Sequence, residues 1–183
     1  PDGDDPTGSP PHLSSSQSEV REQRTILEHS LSTQEALRTS AFWLIAGGHS
    51  LAVLAVTAIS VHQVPHMVER VGISLGAASG IVAFLLAMMM VGQIGGGYLA
   101  DKFDKRIILA TTMLCHTAGL LVLANATLVS HLFIFSILHG VAWGARGPTQ
   151  HALRADYFGR ASFGTIIGFS SSLVMFGAVC GPI

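Results

Sequence analysis

Long apolar stretches alternate with short charged ones along most of the chain. Residues 71–100 and residues 107–145 contain no Asp, Glu, Lys or Arg over 30 and 39 positions respectively. A helix needs about 20 apolar residues to cross the hydrocarbon core of a bilayer. The first stretch is therefore long enough for one crossing, and the second for two crossings joined by a turn.

This pattern predicts five membrane-spanning helices after residue 40. Their expected bounds are residues 41–62, 75–100, 107–125, 130–153 and 162–183. Pro65 is expected to break the first helix, with Glu69 and Arg70 in an aqueous loop behind it. A polar loop over residues 154–160 is expected between the last two spans. The predicted fold class is all-α, a polytopic helical membrane protein.

The segment before these spans has a different composition. Residues 1–31 are rich in Pro, Gly, Ser, Asp and Gln, and they bury too little apolar surface to offset the entropy of ordering. We expect a disordered linker there and a membrane unit over residues 32–183. Ser32 and Glu35 have the spacing of a capping box, which predicts a short helix over residues 33–39. Phe42 and Trp43 then suit an interfacial anchor.

Composition supports a membrane protein and excludes several other classes. Charged residues make up 11% of the chain, against about 25% in soluble domains. A net charge of −1 gives no reason to expect a nucleic-acid partner. Cys115 and Cys180 both lie in apolar stretches, where they are expected to be small buried hydrophobic residues and not parts of a disulfide scaffold.

Lysine and arginine are distributed unequally between the two sides of the predicted bundle. Arg70 is the one cation in the loops on one side. Eight lie on the other side, namely Arg21, Arg24, Arg38, Lys102, Lys105, Arg106, Arg154 and Arg160. Cytoplasmic loops carry the excess of Lys and Arg. Residues 1–39, 101–106 and 154–160 are therefore predicted to be cytoplasmic, in a protein of the cytoplasmic (plasma) membrane.

The charged hinge between the second and third spans resembles a signature loop. Residues 97–106 read GYLADKFDKR, similar to the Gly-x-x-x-Asp-(Arg/Lys)-x-Gly-(Arg/Lys)-(Arg/Lys) loop of the major facilitator superfamily. Asp104 stands where that pattern has Gly. Residues 35–44, residues 156–168 and Gly181-Pro182 are similar to the monocarboxylate and oxalate/formate-like branch.

This resemblance implies a particular part of a twelve-helix transporter. The chain would be the central linker and helices 7 to 11 of the C-terminal half, a fragment that lacks helix 12 and the N-terminal half. Helices 1 to 5 of the N-terminal half remain an alternative, since the two halves are pseudo-repeats.

The implied function is secondary active transport of a small solute, either a mono- or a dicarboxylate, by alternating access. Its partners would be the substrate, a coupling proton or ion, the lipid bilayer and the N-terminal half, with no cofactor and no enzymatic activity. The alternatives are a membrane-embedded enzyme and a non-transporting receptor. The spans over residues 75–100 and 162–183 contain no Lys or Arg, and this absence makes a dicarboxylate substrate less expected.

The resemblance also assigns a conformational gate to the hinge. Asp101 would cap a helix or pair with a cation of the opposite half, and Lys102, Lys105 and Arg106 would help to hold the cytoplasmic side closed. Gly97 would allow neighbouring helices to approach closely. The alternative is a solvated loop that only sets topology.

Three residues inside the spans are candidates for substrate contacts. Arg146 is the one formal charge within a predicted span, and an intramembrane cation is costly unless it has a ligand or a partner. It is either an anion contact or a structural pair with an acid of the other half. His49 and His139 lie on helices that line the cavity in the family, so each is a candidate for substrate or proton binding or for packing alone.

Two further patterns concern metals and helix packing. His62 and His66 have helical metal-ligand spacing, but Pro65 lies between them and no third ligand is apparent, so no metal site is predicted. Glycines spaced four apart predict close helix packing at Gly76/Gly80, Gly92/Gly96, Gly140/Gly144, Gly164/Gly168 and Gly177/Gly181.

Overall fold

The computed structural model describes residues 31–159 and 163–182, which form six α-helices. These are α1 (Thr33–Arg38), α2 (Ser40–Arg70), α3 (Leu75–Lys102), α4 (Lys105–Ala124), α5 (Val129–Phe158) and α6 (Phe163–Cys180). The all-α fold class is confirmed. The linker expected over residues 1–31 lies outside the described residues, apart from Leu31, as does Arg160.

Four of these helices, α2, α3, α4 and α6, are long and apolar enough to cross a membrane. α5 is also long, at 30 residues, but it is less apolar because several polar side chains lie within it. These side chains are buried by the surrounding helices, among them His139, Arg146, Gln150 and Arg154. α5 is therefore the central polar helix of an otherwise apolar bundle.

The capping box expected at Ser32 is confirmed. The Ser32 hydroxyl and backbone N–H donate to the Glu35 carboxylate at 2.7 and 2.9 Å, and the Glu35 N–H donates back to the Ser32 hydroxyl at 3.3 Å. The bond from the Ser32 hydroxyl, followed by the one from its N–H, lowers the pKa of the exposed Glu35. α1 then ends at Arg38, and Thr39 caps the start of α2 by accepting from the Phe42 N–H at 3.3 Å.

Pro65 does not break the first long helix, so that prediction was wrong. α2 continues through Pro65 to Arg70. The segment after the proline packs on a cluster that includes Met67, Ile81 and Leu85. This burial outweighs the hydrogen bond that proline removes from a helix.

The prediction of a polar loop over residues 154–160 was also wrong for residues 154–158, which belong to α5. α5 continues to Phe158 and ends at Gly159, which has a positive φ of 71°. Arg154 and Phe158, one helical turn apart, are both buried. Phe158 packs edge-on against Phe42. Phe42 is thus a packing residue, whereas Trp43 is exposed, as an interfacial anchor requires.

The tightest helix contacts use three of the five glycine pairs. A Cβ on Gly92, Gly96, Gly140 or Gly144 would collide with backbone atoms across the contact between α3 and α5. Gly177 and Gly181 bring α6 equally close to Ser50 and Thr57 of α2. The other two pairs, Gly76/Gly80 and Gly164/Gly168, face no comparable neighbour among the described residues.

Candidate functional site

The hinge between α3 and α4 is a two-residue turn closed by a cap. α3 ends at Lys102 and α4 begins at Lys105. The Asp104 carboxylate accepts a hydrogen bond from the Arg106 N–H at 2.8 Å, which satisfies one of the free donors at the start of α4. Asp104 therefore has a structural role at the position where the signature has Gly.

The first part of the predicted gate faces outward. Asp101 and Lys102 are exposed, and Lys102 donates to the Tyr98 hydroxyl and lies 4.4 Å from the centre of that ring. Within the described residues, Asp101 has no ion pair. The close helix approach expected at Gly97 is absent there as well, since a Cβ at that position would meet nothing within 4 Å.

The second part of the gate contacts the end of α5. The Lys105 ammonium lies 2.8 Å from a carboxylate oxygen of Asp156, and the Arg106 guanidinium lies over the ring of Tyr157 at 5.2 Å. We call this end of the bundle, where α3, α4 and α5 meet, the hinge end. Lys105 and Arg106 are thus brought together with α5, and Asp101 is not.

A polar stripe runs along one face of α5 towards the hinge end. We define it as His139, Arg146, Gln150 and Arg154, spaced seven, four and four residues apart. Arg146 and Arg154 are each 3% exposed. Neither has a carboxylate partner among the described residues, and one nitrogen of Arg146, Nη1, is buried without any hydrogen bond. Among the residues that the structure describes, two cations thus lie inside the bundle without a carboxylate counter-ion.

His49 is held by the last member of the stripe. The Arg154 Nη2 donates to Nδ1 of His49 at 3.0 Å. Nδ1 must carry a lone pair to accept this bond, so a neutral His49 has its proton on Nε2. Gln150 links the same two helices, since its Nε2 donates to the Ile45 carbonyl at 3.3 Å, while its Oε1 is buried without a partner.

His139, at the other end of the stripe, is paired with a second histidine. Its Nδ1 lies 3.0 Å from Nδ1 of His116 on α4, with the ring centres 4.6 Å apart. Phe135 stacks on His139 at 5.2 Å, and Trp143 lies beside it. The other nitrogen of His116, Nε2, is buried without a hydrogen bond. The three substrate candidates from the sequence therefore lie along one polar path.

A cavity of about 450 Å³ lies between α2, α4 and α5, beside the part of the stripe that is nearest the hinge end. His49, Gln150, Arg106 and Tyr157 supply its polar groups. The remaining walls are mainly apolar and include Leu44, Ile45, Leu109, Met113 and Leu153. A cavity of this size and lining suits a small organic molecule with few polar groups.

The histidines at 62 and 66 do not gather further ligands. His66 Nε2 lies 2.9 Å from the Leu123 carbonyl. The described residues contain no group of three His, Cys, Asp or Glu side chains that could hold a metal ion.

Sequence reasoning missed His116, Gln150 and Arg154 as members of the polar path. Gln150 lies four residues after Arg146 within the predicted span, a helical spacing that could have revealed it. Arg154, four residues further on, would have required the predicted helix to extend past residue 153. His116 and His139 are on different helices, 23 residues apart. No local pattern in the sequence indicates that pairing.

Comparison with known proteins gives one family match and several distant relatives. The model described as "Major Facilitator Superfamily" matches residues 13–183. The chain is 28% identical over 148 residues to a triacylglyceride transporter of Mycobacteroides abscessus, covering 75% of this chain and 28% of that protein.

Two other relatives have different names. Identity is 28% over 93 residues to the 4-hydroxybenzoate transporter PcaK of Acinetobacter baylyi, covering 51% of this chain and 20% of that protein. It is 28% over 153 residues to the multidrug resistance protein MdtH of Aeromonas hydrophila, covering 81% and 38%. The chain thus matches less than two-fifths of each of these relatives. No solved structure matches it.

Proposed function

The chain belongs to the Major Facilitator Superfamily, and from this membership we propose that the whole protein is a secondary active transporter that moves a small organic acid by alternating access. The relatives whose names state a function are transporters or drug-resistance proteins, and none is named as an enzyme. We place the protein in the cytoplasmic membrane, with the hinge end on the cytoplasmic side. The five long helices, α2 to α6, would be helices 7 to 11 of the C-terminal half.

Arg146 is the observation that carries the choice of an anion. An arginine near the centre of a membrane helix costs a few kcal/mol by insertion scales. Here the side chain is buried, one nitrogen has no hydrogen bond, and no carboxylate pairs with it among the described residues. A guanidinium offers a fork of N–H donors that matches a carboxylate. A substrate carboxylate would supply the missing counter-ion during transport.

Arg146 does not line the cavity, but it lies one helical turn from Gln150, which does, so the cavity indicates the rest of the substrate. Its apolar walls would contact a hydrocarbon body, and His49 and Gln150 would contact polar substituents. An aromatic or short aliphatic monocarboxylate fits this lining, and a relative named as a 4-hydroxybenzoate transporter is consistent with it. We retain the monocarboxylate and oxalate/formate-like branch as part of this proposal. A monocarboxylate is preferred because Arg154, the second buried cation of the stripe, is already bound to His49, and α3, before the hinge, and α6 contain no Lys or Arg.

The hinge suggests how access alternates. Asp101 is exposed at the hinge end, where it is available to a helix or a cation of the N-terminal half. Lys105 and Arg106 already contact α5, so movement at the hinge would be transmitted to the helix that carries Arg146. Substrate binding would then shift the populations of inward- and outward-facing states by its differential affinity for them.

The test is uptake by the full-length protein in proteoliposomes. Labelled 4-hydroxybenzoate, benzoate, lactate and oxalate would be offered to wild type, Arg146→Gln, Asp101→Asn and the control Arg70→Gln, which changes an exposed arginine at the end of α2. We expect saturable uptake of a monocarboxylate, with a half-saturation concentration at least about 30-fold higher in Arg146→Gln. Asp101→Asn should lower the maximal rate, and Arg70→Gln should resemble wild type.

Two results would change the proposal. Uptake that is unaffected by Arg146→Gln would leave a transporter without an anion contact at Arg146. In that case Arg146 would instead pair with an acid of the N-terminal half, and Arg146→Gln should lower the thermal midpoint of the protein without ligand. Failure of wild type to take up any of the four acids would remove the organic-acid assignment.

A further inference from the structure

The buried His116–His139 pair joins α4 to α5 at the end of the polar stripe away from the hinge. We propose that this pair is the binding site of a coupling proton, and that an anion at Arg146 favours its protonation, so that proton and anion load together. This inference rests on the proposed function for its anion. The proton site itself rests on the geometry of the two imidazoles.

The short Nδ1–Nδ1 contact restricts where protons can be. At 3.0 Å the two nitrogens are hydrogen-bonded, so in the neutral pair one Nδ1 keeps its proton and donates it to the lone pair of the other. The donating ring then has a basic lone pair on Nε2. An added proton binds that Nε2 and forms an imidazolium, and the bond between the rings becomes a stronger, charge-assisted one.

The unpartnered nitrogen of His116 supports a vacant proton position. His116 is 7% exposed, and its Nε2 is buried without a hydrogen bond. If His116 is the donating ring, this Nε2 is the free basic nitrogen. A pair whose role was only to hold α4 against α5 would not need an imidazole with one polar atom left unsatisfied in the interior.

The charges around the pair favour coupling to an anion. Arg146 lies on the same face of α5, seven residues from His139, which is about 10 Å along the helix at 1.5 Å per residue. On α3 the charged or phenolic groups, Tyr98, Asp101 and Lys102, are confined to the hinge end. On α2, His49 is bound to Arg154, whereas Phe135 and Trp143 beside the pair are neutral.

These charges make anion and proton binding reciprocal. The fixed cation opposes a second positive charge on the pair, and a carboxylate bound to Arg146 would remove that opposition. By linkage, the proton would increase the affinity for the anion by the same factor that the anion increases proton binding, commonly about 5- to 150-fold.

Transport by the full-length protein in proteoliposomes gives the first test. Labelled 4-hydroxybenzoate would be used to compare accumulation driven by a pH gradient with counterflow, in which labelled and unlabelled acid exchange without net proton movement. With one proton per anion, one pH unit supports up to about tenfold accumulation. We expect His116→Gln to lose this accumulation and to keep counterflow, and the control His151→Gln, an exposed histidine of α5, to keep both.

A titration that does not depend on transport gives the second test. Nitrogen NMR of histidine-labelled wild-type protein in lipid nanodiscs, from pH 8 to pH 4, should show one proton taken up by the pair, with 4-hydroxybenzoate shifting that uptake to higher pH. The inference is overturned if neither ring takes up a proton with or without the acid, or if His116→Gln accumulates the acid like wild type. Absence of wild-type counterflow would instead count against the proposed substrate, and the titration would still decide whether the pair binds a proton.

Discussion

α5 contacts its neighbours in two different ways on its two sides. Towards α3, Gly140 and Gly144 of α5, and Gly92 and Gly96 of α3, lie so close to the opposite helix that a methyl group on any of them would strike its backbone. Towards α2, α5 presents Gln150, which lines a cavity of about 450 Å³, and Arg154, which donates to His49.

The difference separates a fixed contact from an adjustable one. The α3–α5 contact gains dispersion energy from closely apposed backbones, which leave little room for either helix to shift. On the other side, single hydrogen bonds from Gln150 to the Ile45 carbonyl and from Arg154 to His49 bridge the gap. We infer that α3 and α5 move together during transport, and that α2 shifts relative to them.

The strongest way to break this comparison is to enlarge one glycine of the fixed contact. In Gly144→Ala the new methyl group would collide with the Met89 carbonyl, and overpacking of this kind costs about 1–3 kcal/mol. We expect a loss near the upper limit, because backbone cannot yield as a side chain can. Thermal unfolding in detergent would measure it.

The matched control is Gly147→Ala on the same helix, where a Cβ meets nothing within 4 Å. Its thermal midpoint should stay the same or rise, since alanine is the better helix former by about 0.5–1 kcal/mol. Equal destabilisation by the two substitutions would contradict a contact set by backbone proximity.

A smaller effect is expected from the adjustable side. His49→Ala, Arg154→Ala and the double variant form a mutant cycle across one hydrogen bond with a charged donor. Such bonds contribute about 1.5–3 kcal/mol, and we expect a coupling energy of about 1.5 kcal/mol because a pair that must separate need not be optimal. Additive losses in the cycle would show that the two side chains do not support each other.

The smallest effect is expected at the exposed end of the same helix. Lys105 and Asp156 are 24% and 56% exposed, and surface ion pairs contribute about 0.2–1 kcal/mol. A cycle of Lys105→Gln and Asp156→Asn should give about 0.5 kcal/mol at low salt and less at 0.5 M salt, by screening. A coupling energy as large as that of His49 and Arg154, and insensitive to salt, would contradict the prediction that the Lys105–Asp156 pair contributes less.

The sequence was sufficient for features that depend on local chemistry. Ser32 and Glu35 lie three residues apart and form the capping box, because both partners are within one helical turn. The charged hinge separated α3 from α4 for a similarly local reason, since residues 101–106 interrupt two apolar stretches. The five long helices follow from the same hydrophobic pattern.

The errors arose where distant packing overrode local signals. Pro65 is a local helix breaker, yet burial of Met67 against Ile81 and Leu85 maintains the helix. Arg154 has the polarity of a loop residue, yet it is buried against α2 and bound to His49. Gly159 was the better signal for the end of α5, since it has the positive φ that favours glycine.

The candidate site was only partly predictable for the same reason. Arg146 could be singled out because a charge within a membrane helix needs a cause. Its relation to Arg154 required the helix to be continuous past residue 153. His116, the partner of His139, lies on another helix, and residue spacing within one helix does not predict contacts between two helices.

The glycine contact between α3 and α5 also has a consequence for how the protein is made. Gly96 is synthesised 44 residues before Gly140, with all of α4 between them. At about 5–20 residues per second, α3 emerges from the ribosome roughly 2–9 s before its partner face exists. During biogenesis the face of α3 that carries Gly92 and Gly96 must therefore contact lipid tails or the insertion machinery. α5 must displace these contacts when it packs against α3.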